Sequence, residues 1–368
     1  MNVRLIVAGF LPALFVRADS GAAAESPPAQ QVATRACSAL LSRVNAIPGT
    51  GPVFLQSYDN VSGAGSEGQP MLTGAYTYDN ALAAIALVAC GQREAALRIG
   101  SALLAASEGD RSGAVGRIRN AYRPGTVTER PVLPMGWWSA QDGRWAEDPY
   151  QVGSATGNVA WAALALLTVG GDDGRYRAAA DRLMRWVAAT ALDPRPPAGF
   201  IGGLYGYDDI AERLTRKSTE HNTDLAAVFD WLARLEPNNA WQANAQTARA
   251  FAAARWDEAS GHFRIGTTPD GATANRRNAG LDAQLWPLLL SDAPTYGMHR
   301  SSTLSSITPR PAVSISTTIA MASGGREPRR PRLPTAHSAD RTMPTACCRR
   351  STASSALAVS SGPPVRCD

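Results

Sequence analysis

The stretch STEHNTDLAAVFDWL, residues 218–232, sets polar and acidic side chains directly before an apolar helix. Ser218 or Thr219 can cap the free N–H groups of that helix, and Glu220 suits its positive end. Capping alone does not require this density of polar groups, and the arrangement is not unique in the chain. TYDNALAAIAL (77–87), ATGNVAWAALALL (155–167) and RNAGLDAQLWPLL (277–289) repeat it, each placing a polar cluster before an Ala/Leu-rich helix. Between these lie more charged segments, GQREAALRIGSALLA (91–105) and DGRYRAAADRLMRWVAA (173–189).

Apolar residues recur at spacings of three and four over 31–45, 77–90, 93–107, 156–169, 174–190, 221–235, 240–255 and 279–291, which predicts eight helices. Gly91, Gly170-Gly171, PRPPAG (194–199) and Pro237 separate them. Strand signals are short, at GRIRNAY (116–122) and GHFRIG (261–266). Ala/Leu helices touching neighbours on all sides, alternating with helices that show one face to water, suit two concentric rings. Repeated helical hairpins each cover the next one's apolar face. The expected fold is therefore all-α, an (α/α)6 toroid with the starts of its inner helices at one end. Glu220, His221, Asn222, Asp79, Asn80, Asn158 and Asp282 would then surround one cavity.

The segments YTYDNALAAIAL, NAYRPG, VGSATGNVAWAALALL, GFIGGLYGYDD and STEHNTDLAA together resemble bacterial members of the six-hairpin glycosidase superfamily, over about residues 35–292. That superfamily holds hydrolases, phosphorylases, lyases and epimerases, so the resemblance implies a carbohydrate substrate and leaves the reaction open.

The residues support a glycoside hydrolase using two carboxyl groups. Glu220 is expected to be the acid, because partial desolvation at a cavity rim favours its protonated form. Asp79, after Tyr76 and Tyr78, is expected to be its partner. Asp59 in LQSYDN and Asp148 in RWAEDPYQ are weaker carboxylate candidates. His221, Asn222 and Tyr78 are placed to meet sugar hydroxyls or ring faces. Trp137, Trp138 and Trp145, with Tyr205 and Tyr207 in the Gly-rich GFIGGLYGYDD, are expected stacking residues. Arg119, with Arg117 and Arg123, could meet an acidic sugar. Non-catalytic glycan binding, an inactive remnant, or lyase or epimerase chemistry on the same fold are the alternatives.

No paired-Cys metal spacing, phosphate-binding loop, dinucleotide fingerprint or Gly-x-Ser-x-Gly elbow occurs, so no metal and no cofactor are expected. Cys37 and Cys90 lie in helical stretches and can be buried thiols or one disulfide. An apolar run from Leu5 to Val16 followed by Ala22-Ala23-Ala24 fits a secretory signal over 1–24, which predicts export without a membrane anchor.

Residues 293–368 differ from the toroid segment 25–292. Over 294–368, ten Arg face Glu327, Asp340 and Asp368, a balance of +7 that leaves −2 for residues 1–293. The basic excess thus sits in a tail, which argues against nucleic-acid binding. The tail has no Trp or Phe and cannot bury a core. Read one base earlier, Ser314–Gly325 permits FDFNDDRDGIWW and Arg326–Thr335 permits EGTAQAALAY, a further polar cluster before an Ala/Leu helix. A frameshift near residue 293 is therefore expected, leaving the toroid incomplete at its C-terminus.

Overall fold

The computed structural model describes residues 27–59, 72–236, 240–276 and 280–290. Every expected helix is found: α1 (Pro27–Asn45), α2 (Thr77–Ala89), α3 (Arg93–Glu108), α4 (Thr156–Gly170), α5 (Gly174–Ala191), α6 (Thr219–Leu235), α7 (Trp241–Ala253) and α8 (Leu281–Leu289). The expected signal segment 1–24 and the tail with its frameshift lie outside the described residues.

Helices α2 and α3, α4 and α5, and α6 and α7 pack as hairpins, while α2, α4, α6 and α8 lie side by side in succession. The described residues thus form an arc of an α/α toroid with four inner helices. Sequence explains the division. Helix α4 carries no charged residue and is buried along most of its length. Helix α5 buries Tyr176, Ala179, Ala180, Leu183, Met184 and Val187 on one side and turns Arg and Asp residues to solvent. At Gly100 in α3 an added Cβ would come within 2.7 Å of Val169 in α4, so this helix contact needs glycine. Helix α1 packs on α2 and α3, and a Cys37–Cys90 disulfide ties it to the end of α2.

Short strands join the hairpins: β1 (Val53–Phe54), β2 (Ala75–Tyr76), β3 (Ala121–Tyr122), β4 (Gly125–Thr126), β5 (Trp137–Ser139), β6 (Arg144–Ala146) and β7 (Ser154–Ala155) in the first half. Then come β8 (Leu192–Asp193), β9 (Gly199–Phe200), β10 (Gly203–Tyr205), β11 (Glu212–Arg213), β12 (Trp256–Asp257) and β13 (His262–Phe263). All pair antiparallel, β2 with β3, and β7 with β10, which also pairs with β11. These pairings link the entry of one inner helix to the loop that leads towards the next.

Two side-chain devices repeat at those entries. Thr77, Thr156 and Thr219, each the first residue of its helix, donate their hydroxyls to the carbonyls of Arg119, Ile201 and Arg264. Three residues further on, Asn80, Asn222 and Gln284 use one amide each to pair with both backbone groups of Leu55, Phe200 and Phe263. Helix α4 has Val159 at that step, and Asn120 from the β2–β3 side substitutes, accepting from the Ala155 N–H and the Asn158 amide. Much of the polar clustering therefore satisfies buried backbone.

Candidate active site

With those residues committed to the fold, the acidic ones remain. Asp79 on α2, Glu220 and Asp224 on α6, and Asp282 on α8 all bear electrostatically on the hydroxyl of Tyr78. Burial first, and then these charges, hold that phenol protonated, well above its usual range. Its hydroxyl is buried without a hydrogen-bond partner, while the buried Asp224 has the Trp161 side chain as a hydrogen-bonding neighbour. The ring of Tyr78 meets Trp161 of α4 edge-on at 5.6 Å, and Trp161 lies 5.7 Å from Trp286 of α8. Each of the four inner helices thus supplies part of one wall.

Burial raises Asp79 to about 6, against a lowering hydrogen bond from Ser57. Burial also raises Asp282 to about 6. Asp224 is pushed well above the carboxylate range by burial, then by the charges of Glu220 and Asp282. Taking an unpaired carboxylate out of water is costly, and adjacent like charges add to that cost. Tyr150 joins the two sides. It is hydrogen-bonded to Asn158, feels both Glu220 and Asp79, and is itself raised by burial first.

The other expected residues divide. His221 packs on α4, where an added Cβ at Gly157 would come within 2.5 Å of its ring, and its Nδ1 lies 3.1 Å from the Thr156 hydroxyl. Asn222 departs from the expected sugar contact, because it is fully buried and its amide is consumed by Phe200 and Ser218. Tyr78 is buried within the wall and presents no open ring face for stacking. Asp59 pairs on the surface with Arg43 of α1 and is not drawn into the carboxylate group. Asp148 accepts from the N–H groups of Tyr150 and Gln151 at 2.9 and 3.0 Å, closing a turn that sets Tyr150. Trp137 is half-buried, whereas Trp138, Tyr205 and Tyr207 are exposed.

Arg119 also differs from expectation. It is fully buried and paired with Asp110 and Asp208, each at 2.6 Å. Burial pushes the Asp110 carboxyl up, but the hydrogen bonds and charge of Arg119 outweigh it and hold it below the usual range. Arg111 binds Glu147 and Asp208, and Arg117 also faces Asp208 and Asp110. These arginines fasten the loop after α3 to the loops at 147 and 208. Lys217, the only lysine of the chain, is likewise structural. Its ammonium donates to the Arg195 and Pro197 carbonyls and meets Asp193 at 3.1 Å, clamping the β8–β9 turn.

The sequence reading missed Asp224 and Tyr150. Asp224 follows Glu220 by one helical turn, so the i,i+4 rule places both on one face. Tyr150 carried no local signal beyond its place in EDPYQ. Among the described residues no group of three or more His, Cys, Asp or Glu is placed to hold a metal ion.

No protein-family model and no curated protein matches the chain. Solved structures similar to it include a GH8 endo-β-1,4-glucanase from an Achatina fulica gut metagenomic library, 15% identical with a TM-score of 0.47, over 81% of this chain and 91% of that one. An endoglucanase of glycosyl hydrolase family 8 from Klebsiella pneumoniae is 14% identical with a TM-score of 0.47, over 74% and 79% of the two chains. A GH76 α-mannanase from Bacteroides thetaiotaomicron is 14% identical with a TM-score of 0.39, over 52% of this chain. The matched part spans about half of that mannanase, 48% of its length. The likeness is one of chain course and does not choose a substrate.

Proposed function

We propose that the protein hydrolyses glycosidic bonds of an exported or envelope glycan, with Asp79 and Glu220 as its carboxyl pair. The observation that carries this reading is that Asp79 from α2 and Glu220 from α6 both bear electrostatically on Tyr78 and Tyr150, with Asp79 raised to about 6 by burial. Two carboxyl groups brought to one site are what acid/base glycoside hydrolysis needs. Asp224 refines the roles. It is buried on α6, and burial with the nearby Glu220 and Asp282 favours its protonated form. In this reading Asp79 protonates the leaving oxygen and Glu220 acts as base or nucleophile, the reverse of the roles expected from sequence. The Cys37–Cys90 disulfide supports an oxidising destination.

Release of reducing ends from a panel of oligosaccharides, measured on wild type, Asp79→Asn and Glu220→Gln, tests the pair. Both variants should lose at least about 100-fold in turnover, the lower end expected for a lost general acid or base, while far-ultraviolet circular dichroism stays unchanged. Wild-type turnover that survives either substitution overturns the assignment.

A further inference from the structure

Carboxyl groups gather at the cavity without cations among them. Asp79 on α2, Glu220 and Asp224 on α6, and Asp282 on α8 all act on the Tyr78 hydroxyl. Asp79, Glu220 and Asp282 are half-buried and reach solvent, whereas Asp224 is enclosed. No Arg, Lys or His is among the groups that act on Asp79, Asp224 or Asp282. Arg111, Arg117, Arg119 and Lys217 are spent on Asp110, Glu147, Asp193 and Asp208. Arg123, Arg144 and Arg276 are exposed, Arg123 lying 4.4 Å over Trp145. The starts of α2, α6 and α8 carry partial positive charge, yet burial still raises Asp79 and Asp282 to about 6.

A second, independent feature points to an occupant. Tyr78 is only 7% exposed, and its hydroxyl has no hydrogen-bond partner among the described residues, nor has the buried Nε1 of Trp286. Native folds seldom leave such groups unpaired, because the desolvation is costly. The phenol oxygen can accept a bond from an N–H. Beside it the rings of Tyr78, Trp161 and Trp286 follow one another at 5.6 and 5.7 Å. Carboxylates next to aromatic rings are the chemistry that holds an alkylammonium group. The carboxylates take its charge and its N–H bonds, and the rings attract the cation.

One carboxyl of the group is left for that task. Asp79 and Glu220 are assigned to bond cleavage, and Asp224 is enclosed and keeps its proton. Asp282 is half-buried at the first turn of α8, and among the described residues it makes no hydrogen bond or ion pair. We propose that the cavity takes a sugar bearing a protonated amine, and that Asp282 receives its ammonium beside Trp286 and Tyr78. This rests on the hydrolase reading for the sugar and names its class, opposite in charge to the acidic sugar that Arg119 suggested in the sequence.

Oligomers of β-1,4-linked glucosamine, N-acetylglucosamine and glucose share one backbone and differ only at the second carbon. Calorimetric titration of the full chain with each therefore isolates the amine. The glucosamine oligomer should bind about tenfold more tightly than either of the others at low salt. That margin should shrink towards about 1 M salt, where exposed charges are screened. Asp282→Asn should raise the Kd of the glucosamine oligomer about tenfold and leave the other two unchanged. Asp282→Glu, which keeps the charge, should retain the preference, and so should Asp181→Asn, which breaks a surface pair with Arg185 on α5. Circular dichroism reports whether each variant is folded. Equal binding of the three oligomers, binding of none, or a preference that survives Asp282→Asn overturns the proposal. Preference for the amine without release of reducing ends would keep the ammonium site and sink the hydrolase reading. Release of reducing ends from neutral oligomers with no preference for the amine would do the reverse.

Discussion

Asp224 lies one turn beyond Glu220 on α6, wholly buried, and the Glu220 charge adds to burial in keeping a proton on it. A carboxyl whose pKa is higher in the folded state costs no stability below its unfolded value, about 3.9. It costs progressively more as pH rises from there through the folded value. Asp224→Asn removes that cost without removing the side chain's volume. Relative to wild type, the variant should therefore gain Tm steadily between pH 4 and pH 8. Thermal melts across that range check it, and a difference that does not grow with pH contradicts the burial of an ionisable Asp224.

Asp79 and Asp282 obey the same sign over a narrower window. Both are raised to about 6 by burial, so each weakens the fold as pH climbs from about 4 to about 6. For Asp79 the full effect is about 3 kcal/mol at 1.36 kcal/mol per pH unit. Denaturant unfolding of wild type and Asp79→Asn at pH 4 and pH 7 should show the variant gaining at the higher pH. If Asp79 is the acid, kcat/KM of the wild type should also fall above about pH 6, as that carboxyl loses its proton. A kcat/KM that keeps rising through pH 8 would exclude Asp79 from that role.

Asn222→Ala should cost about 2–4 kcal/mol, since the amide serves Phe200 twice and Ser218 once and its loss leaves buried backbone groups unpaired. Chemical denaturation measures it. Asn80→Ala should match it, because Asn80 holds Leu55 and Tyr76 in the same way. A near-neutral Asn222→Ala would return Asn222 to the list of binding residues.

Those two asparagines show where the sequence stopped being legible. The helices could be read because a period of three to four is local, and every expected segment overlaps an observed one. The polar helix entries could be read as a repeat, but their purposes could not be separated. Asn80 and Asn222 find their backbone partners 25 and 22 residues away, and nothing in the spacing announces such pairs. Most strands, only two or three residues long, escaped for the same reason. Arg119 looked like a loop cation because Asp208, its distant partner, reaches it only through the fold. Asp224, by contrast, was accessible from helical spacing, and the TEHNTD run drew the eye to its first residues instead.

The Cys37–Cys90 disulfide closes a loop of 53 residues between α1 and the end of α2. The chain-entropy account gives about 4 kcal/mol for a loop of that length. Among the described residues helix α1 packs on α2 and α3 and pairs Arg43 with Asp59, and much of its surface is exposed, so it has few buried contacts to replace the crosslink. Cys37→Ser/Cys90→Ser should therefore lower the denaturation midpoint markedly and expose residues 27–45 to proteases before the hairpins unfold. Reductant should shift the wild type to the same midpoint and leave the double variant unmoved. Equal midpoints for oxidised wild type and the double variant would mean that α1 is held by packing alone.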